Sequence, residues 1–370
     1  MNLRLHNYQY EYRIVSLALD EETKCTLEEQ KLSCLFLDDA SKAIFLFPEG
    51  VLLSDDLADY EILRECNNFD VLEIWETGKV LRRYDDKSNE NYLFVTGACN
   101  SNCIMCPSPN YSRQNAAPCN IGALWDLAKH IPSDTTHLTI TGGEPFLAGK
   151  EIFPFIGYLK NKFSNTEFLF LTNGRVFSIP EYAKAFEDTV PTNTIVAIPI
   201  HGSCEEIHDM ITRAKGSFKQ SVVGVKRLLK SGIKVEIRIV VSKLNVSDFS
   251  KIAKLIVDEL RGIAYVSVIA MEMTGNAYVN KDVLWIPYRE AFVGIEDSVK
   301  MLIQNGVDVK LYNFPLCTVD RAYWSLCEKS ISSNKVRFAE SCEICRYKNA
   351  CSGIFAGTIG LEKNELRPIL

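Results

Sequence analysis

The stretch TGACNSNCIMCP, residues 96–107, places Cys99, Cys103 and Cys106 in the spacing C-x3-C-x2-C. Three thiols cannot all pair with one another as disulfides, and Cys thiolates are the usual ligands of iron–sulfur clusters. A [4Fe–4S] cube has four irons, so three cysteines leave one iron free to bind another ligand. Pro107 interrupts the backbone pattern directly after the last cysteine. The spacing predicts an open iron–sulfur cluster, with an incomplete zinc knuckle or chance clustering as the alternatives.

A second motif, TGGEP, occupies residues 141–145 at the end of a predicted strand. Gly142 and Gly143 allow the backbone to approach a ligand closely, because no side chain stands in the way. Glu144 adds negative charge where an ammonium group could bind, and Pro145 sets the direction in which the chain leaves. The alternative for the motif is a plain β-turn, which a Gly-Gly pair often forms.

Together the two motifs resemble those of the radical S-adenosylmethionine (SAM) superfamily, over roughly residues 92–261. The resemblance implies a [4Fe–4S] cluster on Cys99, Cys103 and Cys106, with the amino and carboxylate groups of SAM on the open iron. It further implies SAM contacts from seven residues: Met105, Gly142, Gly143, Glu144, Asn173, His201 and Arg213.

Several of these contacts have a structural alternative. Asn173, in the strand-end sequence LTNG, suits a ribose hydroxyl but also an Asn-Gly turn. Arg213 suits the planar carboxylate of SAM, or is a surface charge on a helix. His201 either faces the ligand or is a structural histidine. The sequence departs from the family pattern at Ala214, where glycine is usual, and at Pro199, where a hydroxyl residue is frequent.

Composition indicates a globular protein of ordinary make-up. The chain has 370 residues, 47% of them hydrophobic and 24% charged, with a net charge of −6. The negative balance argues against a nucleic-acid partner. We expect a cytoplasmic protein with no membrane partner, because no apolar run reaches spanning length and the first residues lack an export signal.

The order of elements predicts an α/β fold with three domains. Residues 1–90 read as a β-rich N-terminal domain that either holds a peptide or forms a lid. Residues 91–275 read as a partial (β/α)6 barrel of TIM type, and residues 276–370 as a small cysteine-rich domain. The predicted barrel strands are 92–96, 137–141, 167–172, 194–200, 234–241 and 264–270. The predicted helices are 121–130, 150–163, 181–186, 218–229, 248–260 and 288–304. One further strand is predicted at 307–312, ahead of the second cysteine region. Arg238, on the fifth strand, is a candidate interior charge.

The C-terminal region holds a second group among the chain's 13 cysteines. Cys342, Cys345 and Cys351 have the spacing C-x2-C-x5-C, and one upstream cysteine would complete a set of four. We favour Cys317 as the fourth ligand, since Phe314-Pro315 stiffens its approach, and Cys327 is the rival. Four cysteines satisfy either an auxiliary [4Fe–4S] cluster or tetrahedral zinc. The pattern resembles the SPASM and twitch extensions of radical SAM enzymes, although the later cysteines of a full SPASM domain are absent after Gly353.

The order of these motifs resembles radical SAM maturases, most closely the C-type maturase of the His-Xaa-Ser peptide system. The resemblance implies reductive cleavage of SAM to a 5′-deoxyadenosyl radical and modification of a ribosomally made peptide encoded nearby. Further expected partners are a second maturase and an electron donor such as flavodoxin or ferredoxin. The alternatives are a radical SAM enzyme acting on a small molecule or cofactor precursor, and a non-catalytic iron–sulfur or zinc protein.

Overall fold

The computed structural model describes residues 3–5, 8–108, 113 and 115–370. Two large sheets organise this part of the chain, one of seven strands and one of eight, and a two-stranded ribbon lies near the C-terminal end. The architecture is α/β with a partial barrel of the TIM type, as the sequence predicts.

The N-terminal sheet is mixed and has the strand order β1-β7-β6-β2-β3-β4-β5. Its strands are β1 (Leu3–Arg4), β2 (Arg13–Ala18), β3 (Cys34–Asp38), β4 (Ala43–Phe47), β5 (Val51–Ser54), β6 (Val71–Ile74) and β7 (Lys79–Tyr84). Strands β6 and β7 form an antiparallel hairpin with Gly78 at a positive φ in the turn. Helices α1 (Glu21–Glu29) and α2 (Leu57–Arg64) each begin at an aspartate whose carboxylate accepts a backbone N–H.

The barrel sheet has eight strands, all parallel and in sequential order. Its strands are β8 (Tyr92–Phe94), β9 (His137–Thr141), β10 (Glu167–Leu171), β11 (Thr194–Pro199), β12 (Lys234–Val240), β13 (Tyr265–Ile269), β14 (Val309–Tyr312) and β15 (Cys327–Glu328). The first six are the predicted strands. The predicted total of six is wrong by two, because β14 and β15 continue the sheet from the region assigned to the cysteine-rich domain. The domain division at residue 275 therefore stays a proposal.

Helices follow the barrel strands and cover one face of the sheet. They are α3 (Ile121–His130), α4 (Ile152–Lys162), α5 (Pro180–Thr189), α6 (Glu205–Thr212), α7 (Ser217–Lys230) and α8 (Phe249–Glu259), then α9 (Asn276–Val279), α10 (Lys281–Leu284) and α11 (Tyr288–Gln304). The predicted helices are confirmed, and α6, α9 and α10 were not predicted. Strand residues such as Phe170, Ile237 and Val268 are fully buried in the core against these helices. The alternate residues of each strand form the opposite face, which we call the inner face.

The C-terminal part closes with short elements. The ribbon pairs β16 (Val336–Arg337) with β17 (Ile354–Phe355), and α12 (Ile359–Glu362) follows it. Short 3-10 helices lie at Pro145–Glu151, Arg175–Ser178, Val246–Asp248, Leu316–Thr318, Arg321–Leu326 and Glu340–Ile344. In the described part of the chain, no helix combines the length and apolar character needed to cross a membrane.

Candidate iron–sulfur and cofactor site

The loop that bears the first three cysteines leaves β8 at the carboxyl end of the barrel sheet. It runs beside the end of α6, where Asn102 N–H donates to Thr212 O at 2.9 Å and Ile104 N–H to Ile211 O at 3.0 Å. Ile104 and Met105 are buried in a small apolar cluster beneath the loop. The loop is thus held by backbone bonds on one side and by apolar packing on the other, while the three thiols stay partly exposed.

Gly142 and Gly143 bring the TGGEP backbone directly against this cysteine loop. Gly143 N–H donates to Thr96 O at 2.7 Å, and Glu144 N–H donates to Ala98 O at 2.8 Å. A Cβ at Gly143 would lie 2.3 Å from Ala98 O, and one at Gly142 would lie 2.4 Å from Thr96 O. The glycines therefore permit a close approach to protein backbone, a role that sequence analysis did not foresee. Their predicted contact with SAM stays a prediction.

Glu144 is 1% exposed, so its carboxylate lies inside the protein. It accepts hydrogen bonds from Thr172 Oγ1 at 2.7 Å, from Asn173 N–H at 2.7 Å and from Phe146 N–H at 3.2 Å. Burial raises the pKa of this carboxyl, and the donated hydrogen bonds oppose that rise. In the structure Glu144 joins the ends of β9 and β10, and its predicted contact with an ammonium group stays a prediction.

Asn173 and Arg175 connect the end of β10 to the cysteine loop. Asn173 Nδ2 donates to Asn100 Oδ1 at 2.6 Å, and Arg175 Nη1 donates to Asn100 O at 2.6 Å and to Ser101 Oγ at 3.1 Å. Arg175 was not singled out from the sequence, although it directly follows the strand-end Asn-Gly pair. A long cation directly after such a turn is the signal that could have identified it.

Two segments far apart in sequence hold the cysteine loop from its other side. Asn276 N–H donates to Cys106 O at 2.9 Å, and Asn280 Nδ2 donates to Ile104 O at 3.0 Å. Arg113, 8% exposed, donates to Ser101 O at 3.2 Å. Sequence reasoning missed all three. The available signal for Asn276 and Asn280 was their spacing of four positions after a barrel strand, because residues four apart in a helix lie on the same face.

The Cys99 and Cys106 thiols lie close enough to Cys103 to influence its pKa. Burial, and then the neighbouring Cys106 and Cys99 thiols, raise the pKa of Cys103 to about 12. Burial also raises the pKa of Cys99, whose Sγ accepts Ser101 N–H at 3.4 Å. The neighbouring guanidinium of Arg113 favours the thiolate form of both. A cation that binds here replaces these protons.

The segment HGSCEEIHD, residues 201–209, forms a structural support beside the cysteine loop. His208 is buried, and its Nδ1 accepts His201 N–H at 3.0 Å. Asp209 accepts hydrogen bonds from Ser217 Oγ and Phe218 N–H, both at 2.8 Å, at the start of α7. His201 is 4% exposed, and its Nδ1 makes no hydrogen bond to any described residue. Burial lowers the pKa of His201 to about 3, so the ring is neutral.

Arg213 lies exposed at the end of α6, with a left-handed backbone at φ +49°. It immediately follows Thr212, whose carbonyl accepts the N–H of Asn102 in the cysteine loop. The structure thus places Arg213 next to the loop, and its contact with the SAM carboxylate stays a prediction.

The second group of cysteines lines a small cavity near the C-terminal end. Cys317, Cys342, Cys345 and Cys351 all line it, together with Arg337 and Arg367 among others, and Cys327 is not among the described residues that do. Leu316 N–H and Gly353 N–H each donate to Cys351 Sγ at 3.4 Å, and Ile369 N–H donates to Cys345 Sγ at 3.4 Å. Backbone N–H groups directed at sulfur are one of the means by which proteins tune iron–sulfur clusters.

Comparison with known proteins identifies the class of the barrel. Residues 93–256 match the model of the Radical SAM superfamily. The chain therefore contains a radical SAM domain, and this superfamily of enzymes uses a [4Fe–4S] cluster and SAM.

Among individual proteins, the AdoMet-dependent heme synthase of Nitratidesulfovibrio vulgaris is 27% identical over 168 residues. The match covers 44% of this chain and 42% of that protein, so less than half of the relative's length is represented. Similar solved structures include anSMEcpe with bound AdoMet and a Kp18Cys peptide (19% identity, 59% and 62% of the two chains, TM-score 0.47). Another is Streptococcus suis SuiB bound to precursor peptide SuiA (14% identity, 65% and 52% of the two chains, TM-score 0.47).

The donor set of the first loop fits the cluster that this superfamily uses. Three thiols lie on one loop, with a backbone N–H directed at Cys99 Sγ and the cation Arg113 beside them. Among the described residues, no three His, Cys, Asp or Glu side chains are arranged around a single metal ion. A cube does not need such convergence, because each thiolate binds a different iron.

Proposed function

We propose that this protein is a radical SAM enzyme that modifies a ribosomally synthesised peptide by C–H activation. The observation that carries the proposal is the position of Cys99, Cys103 and Cys106 on one loop at the strand ends of a domain of the radical SAM superfamily. When bound, the cluster supplies the electron that cleaves SAM into methionine and the 5′-deoxyadenosyl radical, which takes a hydrogen atom from the substrate.

The chain's own contribution is to hold the cofactors in place and to exclude water. Cys99, Cys103 and Cys106 would bind three irons. Gly142, Gly143 and Glu144 support the loop. Arg213, at the end of α6, would bind the SAM carboxylate. Met105, Asn173 and His201 are the remaining proposed SAM contacts.

We further propose that Cys317, Cys342, Cys345 and Cys351 hold an auxiliary [4Fe–4S] cluster. The shared cavity and the three N–H groups directed at Cys345 and Cys351 support an iron–sulfur cluster. With all four irons bound by cysteine, such a cluster suits electron transfer, for example accepting the electron that remains when the product forms. Tetrahedral zinc is the alternative.

The first experiment measures SAM cleavage. Protein reconstituted anaerobically with iron and sulfide is incubated with SAM and dithionite, and 5′-deoxyadenosine is quantified. We expect product from the wild type and from Cys25→Ala, which changes an exposed cysteine far from the motif, but none from Cys99→Ala. Equal background product from all three would support a non-catalytic iron–sulfur or zinc protein instead.

The second experiment addresses the substrate. The active protein is incubated with short peptides encoded beside its gene, and each peptide is analysed by mass spectrometry. A mass change that requires SAM and Cys99 supports a peptide maturase, for which the His-Xaa-Ser peptides are the first to test. Active SAM cleavage without a mass change in any peptide would argue against it.

A second candidate function is modification of a small molecule or cofactor precursor. The observation that favours it is the 27% identity to an AdoMet-dependent heme synthase, which covers 44% of this chain. Under either function we expect a flavodoxin or ferredoxin to replace dithionite, and a partner maturase would act on the same peptide only under the first.

A further inference from the structure

The inner face of the barrel sheet bears charged side chains in the middle of β12 and β14. Leu169 and Ala197 lie on this face in β10 and β11. In β12 the same face bears Glu236 and Arg238, while the alternate residues Ile237 and Ile239 are fully buried against the helices. At the level of Ala197 the inner face therefore changes from apolar to charged between β11 and β12.

Glu236 is the fixed centre of this charged part of the inner face. The residue is 2% exposed, and its carboxylate accepts hydrogen bonds from Ser267 Oγ at 2.5 Å and from Tyr265 OH at 3.1 Å. Arg238 Nε lies 3.4 Å from Glu236 Oε1. A buried carboxylate that is held by two hydroxyls anchors the guanidinium, so Arg238 has a restricted position before any ligand arrives.

Arg238 retains binding capacity beyond this ion pair. Its side chain is 30% exposed, and its two Nη nitrogens make no hydrogen bond within the part of the chain that the structure describes. Lys310 is level with Arg238, because the strand register pairs Arg238 with Ser267 and Ser267 with Lys310. Lys310 Nζ lies 3.8 Å from Glu328 Oε1, and its side chain is 40% exposed.

Arg238 lies near the apolar cluster beneath the cysteine loop. Val240 follows Arg238 on the inner face and packs against the apolar cluster that contains Ile104 and Met105. Two residues of a strand span about 7 Å, so Arg238 is one such step from a residue that packs against this cluster. A group bound at Arg238 is therefore near the predicted site of SAM cleavage.

We propose that Arg238, positioned by Glu236 and assisted by Lys310, binds a carboxylate of the substrate. This assignment rests on the proposed radical SAM function. The planar guanidinium matches the geometry of a carboxylate. Glu236 and Glu328 balance the charges of Arg238 and Lys310, so the set accommodates a single negative charge better than a dianionic phosphate.

A direct binding experiment tests the proposal with cluster-loaded protein under anaerobic conditions. The probes are acetyl-Gly-Glu-Gly-amide and acetyl-Gly-Gln-Gly-amide, which differ only in carboxylate against amide, followed by ligand-observed NMR. A second pair, protoporphyrin IX and its dimethyl ester, tests a carboxylate from a small molecule. We expect the acid of at least one pair to bind about tenfold more tightly than its neutral partner, a typical effect of a charge-assisted hydrogen bond. The pair that discriminates identifies the source of the carboxylate.

Variants assign the preference to Arg238. Because Arg238→Gln leaves the buried Glu236 without its cation, the Glu236→Gln/Arg238→Gln double variant is measured beside it. Both should lose the preference for the acid, whereas Lys234→Gln, an exposed lysine at the other end of β12, should retain it. Equal binding of acid and neutral probes in both pairs would overturn the proposal.

Two further measurements distinguish this proposal from a role of Arg238 in SAM binding and from the proposed enzyme function. Arg238→Gln could weaken SAM binding and leave the preference for the acid probe intact. That result would assign the arginine to the SAM carboxylate and overturn a substrate role. Formation of 5′-deoxyadenosine is measured separately, because its absence would contradict the proposed enzyme function without affecting the binding comparison.

Discussion

Gly143 illustrates how a single residue type can be required for a reason other than the one its motif indicates. The motif predicts a close approach to a cofactor, whereas the structure shows a close approach to the carbonyl oxygens of Gly97 and Ala98. Both demands require a residue without Cβ. The local sequence therefore indicates that a glycine is needed here, but only the packing shows what it contacts.

Replacing Gly143 with alanine should disrupt cluster binding while the fold persists. The new Cβ would lie 2.3 Å from Ala98 O, so the cysteine loop must shift. We expect a clear loss of iron after reconstitution with an unchanged far-UV circular dichroism spectrum. Gly157→Ala is the control, because its Cβ would meet Thr189 Cγ2 at 3.8 Å, an ordinary contact. Full iron content in Gly143→Ala would contradict the assigned role.

The side chain of His130 connects helix α3 of the barrel to strand β2 of the N-terminal sheet. Its Nδ1 lies 2.9 Å from Ser16 Oγ of β2, and burial, followed by the charge of Lys162, lowers its pKa to about 4. The unfolded chain therefore binds a proton below pH 6.5 that the folded protein does not bind. Stability from the neutral imidazole is complete above about pH 6.5 and decreases as the pH falls towards 4.

His130→Gln should make stability less dependent on pH. Between pH 6.5 and 5 we expect the wild type to lose about 2 kcal/mol of unfolding free energy through this group. Urea unfolding from pH 7.5 to 5 measures the difference, with the exposed His137→Gln as control. His201 and His208 act in the same direction in all three proteins, so the slope becomes shallower without vanishing. Identical slopes in wild type and His130→Gln would contradict the prediction.

At the scale of elements, the cysteine loop is held by the ends of several neighbours. The end of α6 contributes backbone carbonyls, and the turn after β9 contributes backbone N–H groups. The segment around α9 contributes the side-chain amides of Asn276 and Asn280. A loop that must hold three thiols in one arrangement is thereby fixed by elements on several sides, which lowers the cost of ordering it when a cluster binds.

Removing one of these contacts should weaken cluster retention. Asn280→Ala deletes the 3.0 Å hydrogen bond to Ile104 O, a loss of about 1 kcal/mol. We expect the cluster to bleach about fivefold faster in air, followed by its visible absorbance. Asn305→Ala removes a comparable amide-to-carbonyl bond at the end of α11 and should have no such effect. Equal bleaching rates for the two variants would show that the Asn280 contact does not hold the cluster.

At the scale of the whole molecule, the barrel sheet and the second cysteine group are physically continuous. β14 leads into the Leu316–Thr318 turn that contains Cys317, and β15 begins at Cys327. The sequence leaves both as candidates for the fourth ligand. In the structure Cys327 Sγ donates to Tyr323 O at 3.8 Å, while Cys317 lines the cavity with the other three cysteines.

The two candidate ligands make a matched pair of variants. Cys317→Ala should lose about four iron atoms per chain after reconstitution, whereas Cys327→Ala should retain them. Iron and zinc are measured together by mass spectrometry, so that zinc at this site would appear as zinc lost from Cys317→Ala. Loss of metal from Cys327→Ala with full metal in Cys317→Ala would reverse the assignment.

Much of the fold and the first cysteine set could be predicted because the signals are local. Alternation and apolar runs located six barrel strands, and the spacing of Cys99, Cys103 and Cys106 lies within one short loop. Helix α6 escaped prediction because its residues were interpreted as a binding motif. The sequence predicts the strand at 307–312 but not its place in the barrel sheet, and it does not predict β15, because strand pairing across long connections leaves no periodic signal in the sequence.

The sequence alone determined the class of cofactor chemistry, since ligand type and spacing decide which cluster three cysteines can bind. Only the tertiary structure decided which distant groups hold the cysteine loop. It also decided that Arg238 and Lys310 lie level with each other on the inner face of the barrel sheet. Asn280 and Ile104 are separated by 176 positions, and Glu144 and Asn173 by 29. Such contacts depend on how strands and their connections pack in space, and side-chain spacing along the chain does not encode that packing.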